Sequence, residues 1–295
     1  MVTFSPETEK ARFPDAKLGD AYEATSPQAR AWIKNSLSLV QSAYGRLPTR
    51  CEVRQENQAF GYTFCRRTET APWVTLLLGN NDFSAVRLAA AIMTARLAGV
   101  EEVFAVWTGA QDTLAPTQIS ALELTGVEHV FALPADRVPT FLDEIRSNFP
   151  GTRAGRVLVF GYGNDTTSTV HSPATICPEV QQHAIWPEPI WPEPTWQDTP
   201  PLLGIFPDAL PVRDLIAATH PDATIEIPTP DSLSAVRLYT AVYGTSAGTS
   251  SGSLPGQNAV QTRLRLSSDL AGAWLCPDLA PDFFLNSEIS LSTLP

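Results

Sequence analysis

Nine residues from Ala98 to Val106, AGVEEVFAV, return 27 positions later at Thr125 to Leu133 as TGVEHVFAL, and Arg156 to Phe160, RVLVF, keeps the same step. That interval holds one crossover helix plus one strand, so the segments predict a parallel sheet with right-handed connections. A longer repeat overlies it. Val74 to Leu88, VTLLLGNNDFSAVRL, recurs without a gap as Thr224 to Leu238, TIEIPTPDSLSAVRL, and predicts two related α/β halves. The shared Ser-Ala-Val-Arg-Leu is equally readable as convergence between two amphipathic helices.

The remaining elements follow from local pattern. Ser26-Pro27 caps and starts a helix that carries Trp32, Ile33, Leu37, Val40 and Tyr44 at helical spacing until Gly45 ends it. Alternation from Cys51 to Arg67, with Phe60, Tyr62 and Phe64 on one side, predicts a strand or hairpin flanking the main sheet. Val74 to Leu78 is apolar apart from Thr75, as in a strand covered on both faces, and a helix from about Ser84 to Ala98 follows, capped by Asp82 or Ser84. Strands near Val103–Val106, Val130–Leu133 and Val157–Phe160 alternate with helices at Pro116–Leu124 and Pro139–Asn148. In the second half, strands are expected at Leu202–Phe206 and Thr224–Ile227, helices at Pro211–Ala218 and Leu233–Tyr243, and a last strand at Ala273–Cys276. Gly244 to Gly256 reads as a flexible, weakly apolar segment.

The fold class is therefore α/β: a Rossmann-like parallel sheet with crossover helices, two related halves and an N-terminal helix and strand extension. The expected organisation is an extension over 1–70, a first half over 71–170, a Pro/Trp-rich arm over 171–201 and a smaller second half over 202–295. Within the arm, Ile185 to Trp196 reads IWPEPIWPEPTW. Its prolines exclude helix and central strand, leaving an extended polyproline-like segment, a stiff linker whose tryptophans dock on the protein's own surface or a partner-binding motif.

A chain of 295 residues with 43% hydrophobic content can bury a sizeable core. Its formal charge of −11 opposes binding to nucleic acid or an anionic membrane surface, and no secretory or membrane-spanning run interrupts the pattern, so a cytoplasmic protein is expected. Cys51, Cys65, Cys177 and Cys276 are scattered with no C-x-x-C pair and read as reduced thiols. Self-association is expected through the N-terminal segment or the WPEP arm.

Trp73 to Asn164 resembles the first nucleotide-binding-like half of histidinol dehydrogenases: a strand, a Gly-containing turn, a long Ala-rich helix, AGVEEVFAV, another helix, and RVLVFGYGN where that family has a strand ending in Gly-Pro-Gly-Asn. Thr224 to Ser232 and Gly272-Ala273-Trp274-Leu275 are similar to later segments of the family. The resemblance implies NAD-linked oxidation of an amino alcohol, a Glu-His pair for proton transfer and a zinc site. On this alignment Ala223 and Thr224 stand where the family has Glu-His, and neither side chain can act as a general base near neutral pH. Gln181-Gln182-His183 matches the family's metal segment in residue type, but Val180 occupies the position three before His183.

Two loops are the candidate cofactor site because both leave parallel strands at their C-terminal ends: Gly79, Asn80, Asn81 and Ser84 in one, Gly161, Gly163, Asn164 and Thr166 in the other. NAD is the candidate cofactor and a small molecule or nucleotide the candidate partner. The Val74 copy of the repeat keeps a Gly-Asn-Asn turn whereas the second leads into Pro228-Thr229-Pro230, so a ligand is expected in the first half. His183, His220 and Asp222 are the weak metal candidates, short of any compact zinc pattern. Glu128-His129 lies on the N-terminal edge of the sheet, away from where open α/β sheets bind ligands. The sequence thus points to a divergent histidinol dehydrogenase-like protein without the family's acid-base and zinc residues, non-catalytic or of altered activity. The alternative is an NAD-dependent oxidoreductase of a small alcohol or aldehyde.

Overall fold

The structure is a computed structural model that describes residues 2–150, 154–161, 193–227, 238–244 and 261–293. Helices α1 (Pro6–Lys10) and α2 (Asp15–Ala24) lead into α3 (Pro27–Tyr44). The Ser26 side chain accepts from the Ala29 amide, Pro27 occupies the first turn, and Gly45 at φ 63° stops the helix, as the local pattern predicts. Strands β1 (Arg50–Asn57) and β2 (Tyr62–Thr70) then form an antiparallel hairpin.

The first half follows. Strand β3 (Trp73–Leu78) is buried along its whole length, and α4 (Ala85–Leu97) returns to β4 (Glu102–Trp107). Helix α5 (Pro116–Leu124) leads to β5 (His129–Ala132), and α6 (Val138–Asn148) to β6 (Arg156–Phe160). The 27-residue repeat has a local cause. In each copy a left-handed glycine, Gly99 at φ 91° or Gly126 at φ 69°, ends a helix, and the next valine amide reaches back five residues, Val100 to the Ala95 carbonyl and Val127 to that of Leu122. This is the Schellman closure, which turns the chain sharply from helix into strand.

Strand β7 (Thr195–Gln197) completes a parallel sheet of order β5-β4-β3-β6-β7. Residues 185–192 of the WPEP segment lie outside the described residues, but its end is an edge strand. Trp196 packs edge-on against Phe160 at 5.6 Å, and Glu193 holds Arg146 at 2.7 Å. Trp196 therefore docks on the protein's own surface.

The second half builds a separate parallel sheet of order β11-β10-β8-β9 from β8 (Leu202–Ile205), helix α7 (Arg213–Thr219), β9 (Thr224–Glu226), β10 (Leu238–Tyr243) and β11 (Gln261–Leu266). Two expectations are corrected here. The segment expected as a helix ending at Tyr243 is strand over Leu238–Tyr243, paired with β8 and β11. Leu88 of the repeat thus sits in a helix whereas Leu238 opens a strand, and Ser234 to Arg237 lie outside the described residues. Ala273–Cys276, expected as a strand, is irregular; Ala273, Trp274 and Cys276 fill the core instead. The last strand is β12 (Leu285–Thr293), which returns to the N-terminal hairpin and pairs antiparallel with β2 from Leu285↔Thr70 to Thr293↔Tyr62. One continuous apolar core joins α3, α4, both parallel sheets and Trp274.

Candidate junction site

In the first sheet the chain winds outward from β3 to β5 and then crosses back to place β6 on the other side of β3. The crevice where this order reverses, at the C-terminal ends of β3 and β6, is where open α/β sheets characteristically take ligands. Gly161 meets the Gly79 loop there. A Cβ on Gly161, at φ 70°, would lie 2.5 Å from Asn80 Oδ1, 2.8 Å from the Phe83 ring and 2.9 Å from the Asn80 amide. The Gly79 amide donates to the Phe160 carbonyl at 2.9 Å, and Asn80 Oδ1 accepts from the Asp82 amide at 3.0 Å. Asn81 ties the loop to its neighbour: its Nδ2 donates to Thr113 O at 2.6 Å and its Oδ1 accepts from Ala115 N at 2.9 Å. Gly163, Asn164 and Thr166 lie outside the described residues.

Ser84 caps α4, accepting from the Arg87 amide at 3.4 Å, and donates its hydroxyl to Thr219 O at 2.5 Å. It is buried, and its bonds join helix α4 to helix α7 of the second half. Three residues on, the same junction holds its central group. Helix α4 is buried on nearly all sides, so Arg87 in its first turn projects into the interior. Its guanidinium donates from Nε to Asp198 Oδ1 at 3.0 Å and from Nη2 to Asp198 Oδ2 at 2.6 Å. Nη1 and Nη2 also reach Asp222 Oδ1 and Oδ2 at 2.9 and 2.5 Å. Asp198 directly follows β7, and Asp222 lies in the turn between α7 and β9, so one cation joins both halves.

Two carboxylates sharing one guanidinium leave the triad with a net negative charge inside the protein. Burial pushes Asp198 up to about 6, against the opposing pull of Arg87, and Asp222 adds to the rise. Burial alone would lower the Arg87 pKa, but the two aspartates more than offset it and hold the guanidinium charged. Beside the triad, His220 is fully buried, shares its Nε2 with the Tyr243 hydroxyl at 3.2 Å and packs 4.7 Å from the Trp274 ring. Burial and the nearby Arg87 charge keep its imidazole neutral, well below the ordinary pKa. Its Nδ1 has no partner among the described residues. Burial raises the Tyr243 phenol and the Cys276 thiol, so both stay protonated, and a buried thiol is not a nucleophile.

The metal candidates separate in this arrangement. Asp222 gives both oxygens to Arg87, His220 turns to Tyr243, and His183 lies outside the described residues. No group of three metal-ligating side chains occurs among the described residues. Ala223 and Thr224 serve the backbone: the Ala223 amide bonds His220 O and the Thr224 amide bonds Pro201 O. His129 opens β5 at the far edge of the sheet, where its Nδ1 meets Arg12 at 2.9 Å and its ring stacks on Phe104. Burial, and then Arg12, lower its pKa. A shallow pocket of about 390 Å³ at the C-terminal ends of β4 and β5, lined by Ala11, Thr108, Gly109, Gln111 and Pro134, contains no titratable side chain. No described helix is long and apolar enough to cross a membrane.

Arg87, Asp198 and Tyr243 are the residues that sequence reasoning missed. One signal was available for Arg87: in VRLAAAIMTARL it is followed by an almost wholly apolar run up to Arg96 in the last turn, so a cation in the first turn of so apolar a helix needs a buried partner.

No family model and no curated protein sequence matches the chain. Among solved structures, histidinol dehydrogenase from Elizabethkingia anophelis is similar, with a TM-score of 0.56 at 8% identity over 96% of this chain and 77% of that one. An aldehyde dehydrogenase from Brucella melitensis biovar abortus 2308 aligns with a TM-score of 0.43 at 9% identity, over 96% of this chain and 90% of that one. A NAD-dependent benzaldehyde dehydrogenase from Corynebacterium glutamicum gives 0.41 at 10% identity, over 95% and 90%. The histidinol dehydrogenase likeness is one of fold, and the two aldehyde dehydrogenases are too distant to add to it.

Proposed function

We propose that this chain is a divergent histidinol dehydrogenase-like protein that has lost oxidoreductase chemistry and keeps the α/β frame for a non-catalytic, binding or scaffolding role. The observation that carries this reading is the Arg87 triad. Where the C-terminal edge of the first sheet meets the second half, the interior is filled by an internal ion lock whose groups are committed to one another.

The described residues of the switch-point loops do not fit a pyrophosphate. The Gly79 and Asp82 amides are satisfied internally, Asn80 and Phe83 fill the space beside Gly161, and Asp82 adds negative charge where an anion would sit. The meeting of Gly161 with the Gly79 loop at the switch point favours the second reading, an NAD-dependent oxidoreductase of a small alcohol or aldehyde.

Isothermal titration with NAD and NADH, together with absorbance assays of NADH formation on histidinol and short alcohols, separates the two. The expected result is no heat at millimolar cofactor and no turnover. Saturable binding that Gly161→Ala abolishes without unfolding the protein would establish the second reading.

A further inference from the structure

Among the described residues strand β1 is an edge strand of the three-stranded sheet β1-β2-β12, and residues 50–56 of it are exposed. A strand of this length with unpaired backbone groups is a template for another strand unless its side chains oppose pairing. Here they favour one partner. The sequence Arg50-Cys51-Glu52-Val53-Arg54-Gln55-Glu56 is antisymmetric in charge about Val53: Glu52 and Arg54 flank it, with Arg50 and Glu56 two residues further out.

We propose that β1 pairs edge to edge, antiparallel, with β1 of a second copy of this chain across a two-fold axis at Val53, making a continuous six-stranded sheet. In that register Glu52 faces Arg54 of the second copy, Arg50 faces its Glu56, and the two-fold repeats both contacts. Moving the axis by one residue sets Arg54 against Arg54 or Glu52 against Glu52, so the charges select this register. Neighbouring rows agree. Glu288, Arg67 and Glu52 lie side by side across β12, β2 and β1 with alternating sign, and Arg54 of the second copy continues the alternation. Asn286, Glu69 and Arg50 form a parallel row that Glu56 of the second copy extends in the same way. Each copy carries a net charge of −11, so association needs such local opposition of sign.

On the opposite face Val53, Ile289 and Leu291 are 41%, 55% and 66% exposed, and this apolar strip is the competing contact surface. Sedimentation velocity at tens of micromolar decides between them. The expected result is a dimer that Arg54→Glu converts to monomer with an unchanged circular dichroism spectrum, and that the double exchange Glu52→Arg with Arg54→Glu restores. Gln55→Cys should form an intermolecular disulfide with Cys51 of the second copy on mild oxidation. The native chain should not, because the two Cys51 residues are offset by four positions, about 13 Å along the strand. A monomeric native protein overturns the proposal. So does a dimer indifferent to Arg54→Glu but dissociated by Ile289→Asp with Leu291→Asp, and so does a dimer in which Gln55→Cys fails to cross-link.

Discussion

Arg87 and Arg156 are both buried cations, but their partners differ in kind. Arg87 faces two carboxylates, and removing it strands both. Arg87→Met should cost about 3–5 kcal/mol in urea unfolding, and adding Asp198→Asn with Asp222→Asn should recover most of that loss, since the cost is uncompensated charge and not lost volume. The same cluster contains two titrations of opposite sign. The Asp198 carboxyl takes its proton in the folded protein at about 6 but in the unfolded chain near 3.8, so the folded state binds more protons in that window and gains stability as pH falls through it. The penalty that Asp198→Asn removes at neutral pH is worth up to about 3 kcal/mol. His220 acts the other way. Its folded pKa is depressed, so its contribution is lost as pH falls below the unfolded value of 6.5. Asp198→Asn should therefore steepen the fall in stability between pH 7 and pH 5, and His220→Gln should flatten it, as read from unfolding midpoints at both pH values. Equal slopes in the two variants would refute the assignment.

At the scale of elements, what was legible follows from burial. The strands of the first sheet are covered on both faces, so Val74–Leu78, Val103–Val106 and Val157–Phe160 show as apolar runs, and the helices between them are fixed by Schellman glycines and prolines. Strand β10 reads as helix in the sequence because Leu238-Tyr239-Thr240-Ala241-Val242-Tyr243 follows Ser-Ala-Val-Arg, which is identical to the cap and first turn of α4. The β-branched and aromatic content of that stretch was the contrary signal. The signal for strand β12 is its alternation, with Leu285, Ile289 and Leu291 on one face and Asn286, Glu288, Ser290 and Ser292 on the other; it is weak because the whole strand past Asn286 is exposed. Gly79, Asn80, Asn81 and Gly161 follow the C-terminal ends of β3 and β6, but sequence proximity does not reveal that Ser84 bonds Thr219 or that Arg87 reaches Asp198 and Asp222. Gly161 is the element-scale test. Its left-handed backbone costs a non-glycine residue about 1 kcal/mol, and the added methyl must displace Asn80 or Phe83. Gly161→Ala should lower the melting temperature by several degrees, whereas Gly126→Ala, which meets no atom within 4 Å, should show only the backbone part.

Over the whole molecule the chain closes on itself at Arg156. This residue opens β6 inside the sheet, yet its guanidinium turns toward the C-terminal segment. Nε donates to Phe283 O at 2.5 Å, Nη2 to Leu285 O at 2.8 Å, and Nη1 to Asn286 Oδ1 at 3.1 Å. These bonds hold the base of β12, and β12 in turn forms one side of the sheet that carries the β1 edge. None of the partners is a carboxylate, and burial lowers the Arg156 pKa to about 10. Arg156→Met keeps the bulk of the stem while removing every one of these donors. The β6 side of the sheet should then remain intact while β12 detaches. In hydrogen exchange, amides over 285–293 should lose protection ahead of global unfolding while those of β3 and β4 stay slow. Uniform loss across all strands would mean that Arg156 supports the core as a whole. Loss confined to β12 would show that Arg156 anchors the C-terminal strand of the sheet that carries the β1 edge, while the hairpin keeps its own ties to the frame through Thr70, whose hydroxyl donates to Ala98 O at 2.8 Å.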